Sequence, residues 1–225
     1  MNYPRPIEQI HQVEVTSLCN LRCVYCPSPK LEQIRGQEKQ HMEMEVWHRT
    51  LEWCKALPNQ GELSITGIGE TLLHPEWREI IKTAREALPG HFINFSTNGL
   101  LLDDDACAHL AEHQVGVYVS LHRPEKAGPA INAAKRAGIY IEENASAALA
   151  SMDWAGQVDW EVSAPENLPC GWLRNAWANV LVDGRITTCC LDAAAKGVVG
   201  TVFDEPGSLS VQPYELCTTC HMVVP

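Results

Sequence analysis

Apolar and polar positions change period along the first two thirds of the chain. Met44, Trp47, Leu51 and Cys54 recur at helical spacing within 42–57, and Trp77, Ile80, Ile81, Ala84 and Leu88 do so within 75–88, with Pro75 at the start. Residues 103–113 open on three aspartates, which suit a helix N-terminus, and 127–138 read as a helix stopped by Gly138. Between these segments lie short stretches of strand character at 12–16, 62–66, 91–96, 115–122, 139–143 and 157–163. Six strands with helical crossovers predict a parallel α/β sheet with right-handed connections. A closed barrel needs eight such units, so a partial, open (β/α)6 barrel is expected. Beyond it, residues 178–189 read as a β-hairpin turning at Asp183-Gly184, in a small C-terminal unit. The expected division is 1–165 for the barrel and 166–225 for the tail.

Parallel sheets bind ligands beyond the C-terminal ends of their strands. The informative residues fall there. Cys19, Cys23 and Cys26 follow the first strand, and Gly67-Ile68-Gly69-Glu70 follows the second. Ser96-Thr97-Asn98-Gly99 closes the third, and Ser120 and His122 end the fourth. Period-two alternation puts Tyr118, Ser120 and His122 on one face. Glu14 precedes the cysteine loop, and Arg123, Glu142, Glu143 and Asn144 also lie near strand ends.

Charge and cysteine content narrow the chemistry. The net charge of −11 argues against a broad nucleic-acid footprint or an anionic membrane partner. No apolar run approaches a membrane span and the first fifteen residues carry no signal-peptide core, so a cytoplasmic protein is expected. Ten cysteines in that setting point to metal or redox chemistry rather than disulfides. Five of them, Cys170, Cys189, Cys190, Cys217 and Cys220, fall in the last quarter. Cys54 and Cys107 sit inside helical patterns, where packing is the plain reading.

Three thiolates on one loop can hold three irons of a 4Fe–4S cubane and leave the fourth open to a chelating ligand. A closed zinc site or a ferredoxin site would use four ligands. A structural zinc loop is the alternative, and it leaves the glycine motifs unexplained. The segment "CNLRCVYC" resembles the signature of the radical S-adenosylmethionine (SAM) superfamily, with Tyr25 at its aromatic position. "GIGET" is similar to the family's GGEP motif, with Thr71 where Pro is common, and "STNG" and "SLH" resemble its later strand ends. The resemblance implies that Cys19, Cys23 and Cys26 hold a cluster. It also implies that Tyr25, Gly67, Ile68, Gly69, Glu70, Ser96, Thr97, Asn98 and Ser120 contact SAM. In the tail, Cys-x13-Gly-x4-Cys followed by CxxC resembles the twitch domain, a shortened SPASM domain. By position this makes Cys170, Cys189, Cys217 and Cys220 the ligands of one auxiliary 4Fe–4S cluster. Cys190 is spare, and a zinc ribbon is the plain alternative.

The resemblance further implies reductive cleavage of SAM to a 5′-deoxyadenosyl radical, and hydrogen abstraction from a small-molecule substrate. A fully ligated auxiliary cluster suits electron acceptance. A dehydrogenase is therefore expected, in architecture like the butirosin-type aminocyclitol enzyme, with a flavodoxin- or ferredoxin-type reductant as partner. Redox-neutral isomerisation or epimerisation, and peptide or nucleotide modification, are the alternatives. A non-catalytic iron–sulfur or zinc module is a further one, against which the glycine motifs speak. Eighteen residues precede Cys19, which leaves no room there for a leader-peptide-binding domain. Among substrate residues His122 is the best candidate base, because imidazole titrates near neutrality; Glu14 and Tyr118 join it as candidate catalytic groups.

Overall fold

A two-residue strand, β1 (Arg5–Pro6), is followed by β2 (Gln9–Val13), β3 (Glu62–Ser64), β4 (Phe92–Thr97), β5 (Gly116–Ser120) and β6 (Ile141–Asn144). The computed structural model describes residues 2–121, 124–144, 153–159, 169–220 and 222. Strands β2 to β6 pair in parallel in sequence order. Their crossovers carry α1 (Leu31–Arg35), α2 (Met44–Ala56), α3 (Trp77–Ala87), α4 (Asp104–Glu112) and α5 (Pro124–Ala137).

Alternation explains which face is covered. Ile93 and Phe95 of β4 and Val117 and Val119 of β5 are fully buried in the main core. Asn94, Ser96, Tyr118 and Ser120 occupy the opposite, polar face. A closed barrel fills its interior with branched aliphatic side chains; here that lining is polar, which leaves room for a ligand. On the covered side α3 buries Trp77, Ile80, Ile81 and Ala84. Each buried Ile stabilises by about 1.5–3 kcal/mol. Asp103 caps α4 by accepting from Ala106 N at 2.8 Å, a bond of about 1 kcal/mol. Cys54 and Cys107 are buried in the core.

The tail contributes α6 (Gly171–Asn175), β7 (Trp177–Val180), β8 (Arg185–Thr187), β9 (Val198–Thr201) and β10 (Ser210–Val211). The hairpin at Asp183-Gly184 forms, with Gly184 at φ +85°. Its first strand, β7, pairs in parallel with β2, giving the order β6-β5-β4-β3-β2-β7-β8-β9. The tail hairpin thus extends the barrel sheet. Residues 157–159 are not strand, and the rest of the segment expected at 157–163 lies outside the described residues. Among the described residues, the sixth strand pairing in parallel with the barrel strands is β7. Pairing with β7 also draws the β2 ladder back to residue 9, ahead of the expected 12–16. Trp53 of α2 ties the two parts together, donating from Nε1 to Val202 O at 3.1 Å. β1 pairs with β10 in a separate two-stranded ribbon. No helix among the described residues is long and apolar enough to cross a membrane.

Candidate active site

Three loops meet at the C-terminal ends of β2, β3 and β4, locked by named bonds. Glu70 N donates to Leu18 O at 2.8 Å, joining the glycine loop to the cysteine loop. The Glu70 carboxylate, buried, accepts from Thr97 Oγ1 at 2.8 Å and Asn98 N at 2.9 Å. Burial raises the Glu70 pKa, and those two donors oppose the shift. Asn98 Nδ2 reaches back to Asn20 Oδ1 at 2.7 Å. Thr71, which replaces the usual Pro, donates from its hydroxyl to Ile65 O at 2.7 Å. The glycines are required by proximity: a Cβ on Gly69 would lie 2.1 Å from Thr16 O, and one on Gly67 2.3 Å from Glu14 Cγ.

The loops enclose a cavity of about 270 Å³, near the lower end for ligand pockets. Cys19, Cys23 and Cys26 line one side together with Tyr25. Gly67, Ile68, Gly69 and Glu70 line the floor, and Ser96, Thr97, Asn98 and Ser120 line the far rim. Leu21 N donates to Cys19 Sγ and Ser28 N to Cys26 Sγ, both at 3.4 Å. Burial pushes the Cys26 thiol up to about 11 and raises Cys19 as well. Loading either with metal must therefore release a proton.

Other expected residues fall elsewhere. Glu14 is buried and fully engaged: it accepts from Arg35 Nη1 at 2.5 Å and Nη2 at 3.3 Å, and from Ile68 N at 3.0 Å. Arg35 Nε in turn donates to Ala193 O at 3.1 Å. Tyr118 lies deeper on the face of Ser120, edge-on to Tyr140. Burial first, then the charge of Glu62, pushes its phenol up to about 12. His122 and Arg123 lie outside the described residues.

A second, smaller cavity is lined by Cys170, Cys189, Cys217 and Cys220. Leu191 N donates to Cys189 Sγ at 3.3 Å and Met222 N to Cys220 Sγ at 3.4 Å. Cys190 lines the first cavity instead. The neighbouring Cys190 thiol lowers the Cys189 pKa, whereas burial raises Cys170, Cys217 and Cys220.

Residues 13–152, more than half of the chain, match the family model described as the Radical SAM superfamily. The chain belongs to the radical SAM superfamily. A radical SAM protein uses a 4Fe–4S cluster and SAM, and the tail cysteines are consistent with an auxiliary cluster. The first loop's donor set fits the family cluster: three thiols share one cavity, and backbone N–H groups point at two of their sulfurs.

The radical SAM chain is 32% identical over 110 residues to a tungsten-containing aldehyde ferredoxin oxidoreductase cofactor-modifying protein of Pyrococcus furiosus, covering 48% of this chain and 29% of that protein. It is 34% identical over 113 residues to a GTP 3′,8-cyclase of Chlorobaculum tepidum, covering 49% of this chain and 32% of the cyclase. The matched stretch thus spans about a third of each relative's length. Among solved structures, BtrN in complex with AdoMet and 2-DOIA superposes with a TM-score of 0.74 at 23% identity, over 91% of this chain and 81% of BtrN. SuiB of Streptococcus suis bound to its precursor peptide SuiA gives 0.63 at 11% identity, over 89% of this chain and 63% of SuiB. These likenesses show the radical SAM fold.

Several residues of this radical SAM site carry no sequence signal. Trp154 lines the cavity and donates from Nε1 to Tyr25 O at 3.1 Å. Gln157 donates from Nε2 to Leu191 O at 2.7 Å and accepts from Ala194 N at 2.9 Å, strapping the barrel to the tail. Trp154 lies in a stretch without periodicity, and Gln157 opens the segment expected as a strand at 157–163. Thr66 and Gln12 also line the cavity; alternation from Ser64 marks Thr66, and alternation from Glu14 puts Gln12 on the same face as Glu14.

Proposed function

We propose that this radical SAM enzyme is a dehydrogenase of a small molecule, and that its tail, residues 166–225, holds a fully ligated auxiliary 4Fe–4S cluster. Cys19, Cys23 and Cys26 are the proposed ligands of the first cluster, leaving its fourth iron to SAM. The backbone of 67–70 and the polar rim from Ser96 to Ser120 are the proposed SAM contacts. When bound, cluster and SAM supply a radical able to take hydrogen from an unreactive carbon. The chain's share is to hold that carbon in place and keep water out, with Trp154 and Leu191 walling the cavity. Glu14, with both oxygens engaged, enters as a residue that positions the glycine loop. Tyr118 is assigned to the substrate side and His122 to the base. A substrate alcohol would then lose a hydrogen atom from carbon, a proton from oxygen to His122, and one electron to the tail site, giving a ketone. The reducing electron for SAM cleavage is assigned to a flavodoxin- or ferredoxin-type protein, in the cytoplasm.

One observation carries the oxidative reading. Cys189 lines the tail cavity, the next residue, Cys190, lines the first, and both line a small third cavity between them. The wall between the proposed substrate space and the proposed acceptor is thus one residue thick. The same observation favours a second reading, in which the Cys190 S–H returns a hydrogen atom to the substrate radical; the thiyl left behind takes an electron from the reductant protein and a proton from solvent to restore the thiol, and the substrate is changed without net oxidation. Cys189→Ala and Cys190→Ala, made separately under anaerobic conditions, test the assignment. The wild type is expected to carry about eight irons per chain, Cys189→Ala about four, and Cys190→Ala about eight. Zinc in place of tail iron, or loss of the tail cluster in Cys190→Ala alone, would sink it. An oxidised product that still forms with Cys190→Ala supports the dehydrogenase; its replacement by an epimer in the wild type supports the second reading.

A further inference from the structure

The four-cysteine cavity contains one more polar group. Tyr214 lines it beside Cys189 and Cys217, and its hydroxyl is buried with no hydrogen-bond partner among the described residues. Leaving a buried donor unsatisfied costs its full desolvation, so a phenol in that state points to an acceptor that occupies the cavity. The remaining lining is apolar, with Leu173, Leu216 and Met222, apart from Thr188. Sulfur is therefore the acceptor chemistry the cavity offers.

The ring is held in place from two sides. Gly197 lies against it: a Cβ there would come within 2.5 Å of the ring carbons. Gly197 itself is fixed by donating its N–H to Asp192 Oδ2 at 2.6 Å. On the other side, Cys217 N donates to Tyr214 O at 2.9 Å, so one turn sets both the phenol and a ligand thiol.

We infer that Tyr214 donates its hydroxyl hydrogen to the sulfur of Cys189 in the tail cluster and thereby raises the cluster's reduction potential. This rests on the auxiliary-cluster reading above. Reduction adds negative charge that is shared by the ligand sulfurs. A donor to sulfur therefore stabilises the reduced form more than the oxidised one, and hydrogen bonds to sulfur are among the determinants of cluster potential. Tyr214 is a positioning and tuning residue; it does not touch the substrate cavity.

The test is an EPR-monitored redox titration of the intact chain carrying Cys19→Ala, Cys23→Ala and Cys26→Ala, so that only the tail cluster is observed. With Tyr214→Phe the tail should keep about four irons, while the ratio of reduced to oxidised cluster at fixed potential falls about tenfold, a shift of about 59 mV downward for one electron. Gly197→Ala keeps the hydroxyl but displaces the ring, and should shift the potential the same way. It decides the question if Tyr214→Phe does not assemble. An intact cluster with unchanged potential in these variants overturns the role of Tyr214. A tail that holds zinc or no iron before Tyr214 is altered overturns the auxiliary-cluster reading itself, which is a separate result.

Discussion

Replacing Glu14 by Ala should unlatch the site without touching a proposed ligand. The Arg35 side chain is 2% exposed and the Glu14 side chain 4%. Removing the carboxylate leaves a buried guanidinium whose remaining bond here is from Nε to Ala193 O. Breaking one side of a buried pair costs about 3–5 kcal/mol, and the orphaned Ile68 N–H adds on the order of 1 kcal/mol. Domains are stable by about 5–15 kcal/mol in total. At about 2–4 °C per kcal/mol for a chain of this size, the melting midpoint should fall by about 10–20 °C. SAM affinity should fall too, because Ile68 belongs to the glycine loop. Glu14→Gln keeps the size and an acceptor for Ile68 but leaves Arg35 uncompensated, so it should lie between. Glu14→Met with Arg35→Met removes both charges and should be less destabilised than Glu14→Ala, since apolar replacement of a whole buried pair is often neutral. Anaerobic thermal melts and equilibrium dialysis with labelled SAM read these quantities. A midpoint for Glu14→Ala within about 2 °C of wild type, or a double variant whose loss equals the sum of the singles, would refute the reasoning.

Gly69→Ala should abolish measurable SAM binding, because its Cβ meets the Thr16 carbonyl, which is backbone and cannot swing away; an affinity within threefold of wild type contradicts this. His11 gives a pH prediction. It is stacked on Trp177 at 4.0 Å, and burial lowers its pKa. The unfolded chain therefore binds a proton at a pH where the folded chain does not, so stability is present above the unfolded value of about 6.5 and falls as pH drops below it. The melting midpoint should decline between about pH 7 and 5.5, and His11→Phe should flatten part of that decline; equal slopes for both proteins would rule out His11 as a source.

The helices α2 and α3 were legible in the chain because each buries one stripe at helical spacing. The polar side of the sheet was legible from alternation in β4 and β5. Ser96, Thr97, Asn98 and Ser120 reach one rim because they sit at the C-terminal ends of β4 and β5. Long-range pairing was not legible. β7 looks like half of a hairpin, and its placement beside β2 depends on a partner far away in sequence. Glu14 sits beside the cysteine loop and reads as catalytic, but local sequence cannot show that Arg35 and Ile68 saturate it. The spacing favours Cys189 over its neighbour Cys190, and the structure places Cys189 in the tail cavity. Trp154 and Gln157 act through individual side-chain hydrogen bonds to distant residues, which leave no pattern to read.

The parallel pairing of β2 with β7 has a consequence for how the protein is made. β2 emerges early in synthesis, and its second neighbour follows about 170 residues later. Until then the strand leading into the cysteine loop has an open edge, a segment prone to mispairing. Nearby, Glu8 N waits for Ala176 O and the Arg5 guanidinium for the Leu173 and Arg174 carbonyls. The non-local ladder makes folding slow and dependent on residues as far along as β7. The strand that carries the cysteine loop is then flanked on both sides only once β7 has been made.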